Sequence, residues 1–297
     1  MDTGEVISRY NHTLSDYVGD VNQTAPAYIA RGRTTYGAVL GGAWSYYVFM
    51  NFALDQMDQS AGPIEPMSLF IKVAAGLLGL HACLSGGAIE SAFTLVRSVF
   101  ESEITIALLT ERDVEDRSKL YREYEHVGRW LNMESIRELV SEHILSQSEF
   151  DSRFPTNTVR DNNDAYIRVK TNYHPTRPYH WAWSLMSGTT PNNPSLKQIC
   201  KHLKRLEDYN RLYGLTSVSA HSSPRSHRMT SSENGVITAA PLFDWRTEAL
   251  LVGALKYCHN ALTHLGFYLA QPARDELIFY SEHRLAQIAE QYLAKQP

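Results

Sequence analysis

Residues 86–111, GGAIESAFTLVRSVFESEITIALLTE, constrain the fold more than any other stretch. Wound as a helix, they place Ala92, Phe93, Leu95, Val96, Val99, Phe100, Ile104, Ile106 and Ala107 on one broad apolar arc. Glu90, Arg97 and Glu101 fall on one line, because steps of seven and four residues each nearly complete whole turns. That line does not run down the middle of the polar side. It borders Phe93 and Ile104, and Leu108 continues it a turn later. A charged row beside large apolar groups is partly desolvated, so its charges need partners. The rest of the chain is expected to pack around this helix.

At 297 residues the chain can bury a substantial core, and 43% apolar with 20% charged residues is ordinary for a globular protein. A net charge of −4 gives no support for a strongly basic surface that coats nucleic acid. Cys83, Cys200 and Cys258 are far apart and odd in number, which excludes a disulfide framework and points to a reducing, cytoplasmic setting. Each has a histidine nearby (His81, His202, His259), but none at zinc-site spacing, so no metal is expected. Thr34 to Leu54 carries no charge, and Val73 to Ile89 is nearly as apolar. The first is diluted by Thr, Tyr, Gly, Ser and Asn, and the second is short with His81 at its middle. Buried helices of a bundle explain both better than membrane spans.

Nearly every periodic segment reads as helix, giving an all-α, multi-helix bundle with one long aromatic-containing irregular region. Residues 2–19 are amphipathic, and a second helix runs from about Tyr28 to Met57. Residues 1–64 thus form N-terminal helices that join a helical core at 65–297 as one unit. Within that core, Pro66 to Leu84 precedes the central helix, and Asp113 to about Glu149 follows it as one charged helix. From Asp151 to Pro194 prolines and asparagines dissolve the pattern around the aromatic knot Tyr179-His-Trp-Ala-Trp183. Ser195 is placed as the N-cap of a helix reaching about His221. After Ser222–Pro241, which holds an extended piece at 235–239, two helices follow at roughly Asp244–Leu269 and Ala273–Lys295, hinged at Pro272.

The helix ending at His221 carries Tyr209, Tyr213, Ser217 and His221 at steps of four. Ile199, Leu203, Leu206, Asn210 and Ala220 share that side, while Lys201, Lys204, Glu207, Asp208 and Arg211 take the opposite, solvated one. Polar groups on the side chosen for burial require hydrogen-bond partners, and Arg97 and Glu101 are natural ones. Directly afterwards come Arg225, His227 and Arg228. Cations at a helix C-terminus complement its dipole; they also fit a phosphate pocket with an imidazole at its rim.

Arg97-Ser98-Val99-Phe100-Glu101, Trp181 and the Tyr209-x3-Tyr213-x3-Ser217-x3-His221 series together resemble a bacterial all-α family of unknown function, over roughly residues 65–230. The resemblance implies an intracellular helical protein, with some members near mobile or defence genes and no established activity. It supports the fold and the site more than any reaction.

Other chemistry is poorly represented. Arg137-x5-His143 and Arg168-x5-His174 match the spacing of HEPN-type ribonucleases, a spacing this many arginines and histidines produce by chance. Glu123-x2-His126 has di-metal carboxylate spacing but lacks the second copy such sites need. No cofactor motif is present: GxGxxG, GxxxxGK[ST], HExxH and GxSxG are all missing. Two readings remain. In the first, a phosphate-containing substrate such as RNA or a nucleotide is hydrolysed, with His221 as general acid/base, Glu101 as its orienting partner or a base itself, and Arg97 as charge stabiliser. Tyr209, Tyr213, Ser217, Trp181, Arg225 and Arg228 then bind the substrate. In the second, the same residues hold helices in register in a non-catalytic ligand-binding or protein-interaction module. Homo-oligomerisation is compatible with either.

Overall fold

The structure, a computed structural model, describes residues 30, 33–86, 88–170, 179–186, 194–212, 230, 231, 237, 238 and 245–293. Among them helix dominates, as the apolar periodicity requires. In chain order the helices are α1 (33–55), α2 (Ile64–Ser85), α3 (Ile89–Thr110), α4 (Val114–Ser141), α5 (Gln147–Arg153) and α6 (Thr156–Val169). They continue with α7 (Leu196–His202), α8 (206–212), α9 (Trp245–His264) and α10 (Ala273–Leu293). A two-residue antiparallel ladder, Thr230 opposite Thr238 and Ser231 opposite Ile237, takes in part of the expected extended piece. The amphipathic segment 2–19 lies outside the described residues.

The centre of the bundle is α3, packed between α2 and α9. Its Ala92, Phe93, Val96, Val99, Phe100, Ile104 and Ile106 belong to one continuous core that runs from Val39 of α1 to Ile288 of α10. Residues 33–64 and the later helices therefore share a core. The α2–α3 contact is close because Gly76 has no side chain: a Cβ there would lie 2.6 Å from Val99 Cγ2. By length and composition α2 is apolar enough to cross a membrane, at a mean hydropathy of 1.8. Here Phe70, Val73, Leu77, Leu80 and Leu84 are buried in the protein core.

Three segments differ from the sequence expectation. The helix expected over Asp113–Glu149 is two. It turns at His143, which is left-handed at φ 59°, and restarts at a capping box in which Ser146 and Glu149 satisfy each other's backbone donors. Much of the region expected to be irregular is helical. Pro155 opens α6, whose Tyr166 stacks on Trp130 of α4 at 3.9 Å between ring centroids, and His180–Leu185 forms a 3-10 turn. Clustered asparagines on a surface helix resemble loop composition, and only the α4 contact decides for helix.

The third difference bears on the site. The helix expected from Ser195 to His221 breaks after α7. Arg205 N–H donates to the Cys200 carbonyl at 2.6 Å and Lys204 N–H to the Lys201 carbonyl at 3.2 Å, while Lys204 itself is left-handed at φ 59°. This is a Schellman ending, normally marked by glycine. Lysine occupies the left-handed position here, so the sequence carries no stop signal. The phase of the wheel is lost at the break: Asn210, expected inside, is exposed, and Asp208, expected in solvent, turns inward.

At the other end, Tyr46 of α1, Ser281 of α10 and His259 of α9 form a buried hydrogen-bonded chain, with His259 Nδ1 2.9 Å from Ser281 Oγ. Burial pushes the His259 imidazole below its ordinary pKa, against the opposing pull of Glu282. The unfolded chain therefore takes up this proton at a higher pH than the folded one, and stability is lost as pH falls below the ordinary histidine value of about 6.5. The melting temperature is expected to decline between neutral pH and about pH 5.5, with a shallower decline in His259→Gln. A pH profile of thermal unfolding for the two proteins checks this. An identical slope in both would remove His259 from the account.

Candidate functional site

The charged row on α3 is half-buried, as its position beside Phe93 and Ile104 demands. Arg97 Nε lies 2.8 Å from Glu101 Oε1, with side chains 22% and 30% exposed, so these two groups are partners of each other one turn apart. Thr105 Oγ1 donates to the Glu101 carbonyl at 2.8 Å. The side chain of Glu90 is outside the described residues, as are Tyr213, Ser217, His221, Arg225, His227 and Arg228. Tyr209 is on α8, partly buried against the core. Trp181 is 2% exposed and meets Tyr121 of α4 edge-on at 5.0 Å. It is a core side chain.

On another side of α3, in the middle of its apolar arc, begins a chain of alternating charges. Glu103 is 0% exposed, and its two oxygens take Arg205 Nη1 at 3.0 Å and Nη2 at 3.3 Å. Arg205 also donates through Nε to Asp208, and Asp208 Oδ1 accepts from Lys256 Nζ at 3.1 Å. His264 Nε2 stands 3.6 Å from Glu103 Oε1. Glu103 comes from α3, Arg205 from the Lys204 break, Asp208 from the first turn of α8, and Lys256 and His264 from α9. The break is what turns both Arg205 and Asp208 inward. Asp208 also sits where a carboxylate complements the dipole of α8.

Burial opposes the charge on Arg205, but Glu103 and Asp208 outweigh it and raise its pKa. Burial likewise opposes the charge on Asp208, yet Arg205 and Lys256 hold its carboxyl below the usual range. Cys200 is pushed up to about 12, first by burial and then by Glu103 and Asp208 against the pull of Arg205, so it is an inert thiol.

A cavity of about 270 Å³ opens between α3, α8 and α9 at the outer end of this chain. Phe93, Val96, Leu212, Leu250 and Tyr257 wall it, and Asp208, Arg211 and Lys256 supply its charges. Lys256 is half-exposed, and Arg211 is exposed with Glu207 at 2.6 Å. Phe93 and Val96 belong to the same segment of α3 as Arg97, so the expected charged row and the observed cavity adjoin on one helix. A second charged cluster ties the far ends of α3, α4 and α7: Arg117 donates to the Leu108 carbonyl and to Glu111 at 2.9 Å, and His202 Nε2 lies 3.0 Å from Glu111 Oε2. Among the described residues, no three His, Cys, Asp or Glu side chains are grouped to hold a metal ion.

Glu103 was detectable. On the helical wheel it falls between Val96, Val99, Phe100 and Ala107, in the centre of the apolar arc, and a carboxylate there demands a buried cation. Arg205 carried no such signal, because its direction depends on a turn without glycine.

Fold and site define an all-α bundle in which a buried charge chain backs a small cavity. The chain belongs to the Family of unknown function (DUF5677), whose model matches residues 66–236. That extent agrees with the 65–230 expected from the sequence. The matched residues include nearly all of α2 and the whole of α3 to α8, and so two walls of the cavity, while α1, α9 and α10 lie outside them. No curated protein and no solved structure matches the chain.

Proposed function

We propose that the protein is a ligand-binding module whose cavity takes a small molecule with an apolar body and a phosphate-containing end. The observation that carries this is the cavity lining. Phe93, Val96 and Leu250 offer an apolar wall, and Lys256 and Arg211 offer cations at the same opening. A lysine ammonium has three donors and can serve Asp208 and a ligand oxygen together. The volume of about 270 Å³ suits a small metabolite or mononucleotide better than an RNA strand, which needs an extended basic groove. His221, Arg225 and Arg228 follow α8 in the sequence, and in this reading they add to the anion-binding set.

Binding is favoured over hydrolysis by how the charges are matched. Asp208, the carboxylate at the cavity, is held ionised between two cations, whereas a general acid or base works best when poised to exchange its proton near neutral pH. The hydrolytic alternative, with His221, Glu101 and Arg97 as catalytic residues, predicts turnover of the bound phosphate compound.

Inorganic phosphate, AMP and a short RNA, each added to the full chain, test the proposal by thermal shift. AMP is expected to raise the melting temperature more than phosphate or RNA, with stabilisation of about 2.7 kcal/mol at a hundred times its dissociation constant. The shift should be lost in Lys256→Ala. It should also be lost in Gly253→Phe, which fills the cavity from a position where an added Cβ meets nothing within 4 Å. No shift in the wild type, or an undiminished shift in Gly253→Phe, refutes the cavity as the binding site. Release of phosphate from AMP that stops in His221→Ala would decide for hydrolysis.

A further inference from the structure

We infer that α1 is the seam of a homodimer in which two copies of the helix pack antiparallel about a two-fold axis near residues 44 and 45. Arg33, Gly37, Gly41, Trp44, Val48, Phe52 and Asp55 recur at steps of four, four, three, four, four and three, so they form one stripe down the helix. All seven are exposed. Trp44, Val48 and Phe52 are 48%, 51% and 55% exposed, although the opposite side of α1 (Val39, Ala43, Tyr46, Met50, Ala53) is buried in the core. Large apolar groups lined up on a solvent-facing stripe mark an interaction surface.

The order of residues on the stripe selects the partner. Its first half is notched: a Cβ on Gly37 or Gly41 would meet nothing within 4 Å. Its second half carries knobs at the same spacing, Val48 and Phe52. An antiparallel two-fold pairs positions whose numbers add to 89. Gly37 then receives Phe52 of the second copy, Gly41 receives Val48, and the two Trp44 side chains flank the axis. Such a patch is self-complementary, as an isologous interface requires.

The charges agree with this arrangement. Residues 34–54 contain no charged side chain, and the stripe ends in an anion, Asp55, and a cation, Arg33, a guanidinium that gives its Nε to the Ser85 carbonyl at 2.9 Å and has further donors for a second acceptor. The same two-fold brings Arg33 beside Asp55 of the second copy at both ends of the seam. A parallel pairing would set Arg33 against Arg33 and Asp55 against Asp55, which opposes it. A lipid surface would use the apolar middle but has no use for notches that mirror knobs.

Sedimentation of the full chain, with the melting temperature of every variant as a check on folding, tests the dimer. The wild type is expected to sediment as a dimer with a micromolar or tighter dissociation constant. Val48→Glu and Gly41→Trp should weaken the dimer at least ~100-fold without changing the melting temperature of the monomer. Asp55→Arg should weaken it and Arg33→Asp combined with Asp55→Arg should restore it, a rescue that only the antiparallel register gives. A monomeric wild type overturns the inference, including one that floats with phosphatidylcholine/phosphatidylglycerol vesicles or one that dimerises only after deletion of residues 2–19. A dimer indifferent to Val48→Glu and Gly41→Trp overturns it as well. None of these outcomes depends on whether the cavity binds AMP.

Discussion

Glu103→Ala is expected to destabilise the protein by about 3–5 kcal/mol, lowering the melting temperature by about 10 °C or more. The cause is the cation left behind. Arg205 gives Glu103 two hydrogen bonds at a place with no access to water on the Glu103 side, and Asp208 alone cannot satisfy the freed Nη1 and Nη2. Asp208 in turn depends on Arg205 for its orientation towards Lys256, so the loss should propagate to the cavity. Two comparisons separate this from an ordinary charge deletion. Glu101→Gln removes a half-exposed pair and is expected to cost no more than about 1 kcal/mol. The double substitution Glu103→Leu, Arg205→Met removes both buried charges and should recover most of the lost stability, as apolar replacements of buried ion pairs often do. Differential scanning calorimetry of the three variants gives the answer. A cost for Glu103→Ala as small as for Glu101→Gln would mean that the pair is not sealed from solvent.

Trp181→Ala is expected to cost a similar amount, about 3–5 kcal/mol, because it removes one of the largest side chains of the core. Its ring fills the space against Tyr121 of α4, inside the cluster that also holds Leu196 and Ile199. The measurement that discriminates is paired: thermal unfolding together with AMP binding well below the melting temperature. Stability should fall and affinity should hold, since Trp181 is not among the residues that line the cavity. The opposite pattern, intact stability with lost affinity, would return Trp181 to the substrate-binding role its loop-like surroundings in the sequence implied.

What could be read from the sequence follows a physical divide. Apolar periodicity is local, so the central helix, its apolar arc and the half-buried Arg97–Glu101 row were legible, along with α2, α9 and α10. Helix ends that use standard capping chemistry were legible too, as at Ser195, whose hydroxyl accepts from Gln198 N–H. Ends without a marker were not. Lys204 and His143 adopt left-handed conformations that the sequence advertises with no glycine, and one such turn re-aims Arg205, Asp208 and the rest of α8. The charge chain is hidden for a second reason: its members come from three distant stretches of the sequence, about a hundred residues from Glu103 to Arg205 and some fifty more to Lys256. Long-range pairing leaves no periodic trace. Glu103 alone left a sign of it, as a carboxylate in the middle of an apolar arc.

The wedging of α9 against both α2 and α3 has a consequence for how the chain is made. On the ribosome α2 and α3 emerge well before α9, whose Leu251, Leu255, Tyr257 and Leu262 join the same core and follow some 150 residues later. Until then Phe100, the neighbour of Tyr257 at 5.0 Å, has no cover from that side, and Arg205 and Asp208 can assemble with Glu103 but not with Lys256. Nascent chains therefore hold an open apolar trough while residues 111–244 are made, the condition under which chaperones engage and incomplete chains aggregate. A core closed by α9 also has contacts of large sequence separation, which slows folding beyond what a helical composition alone would set.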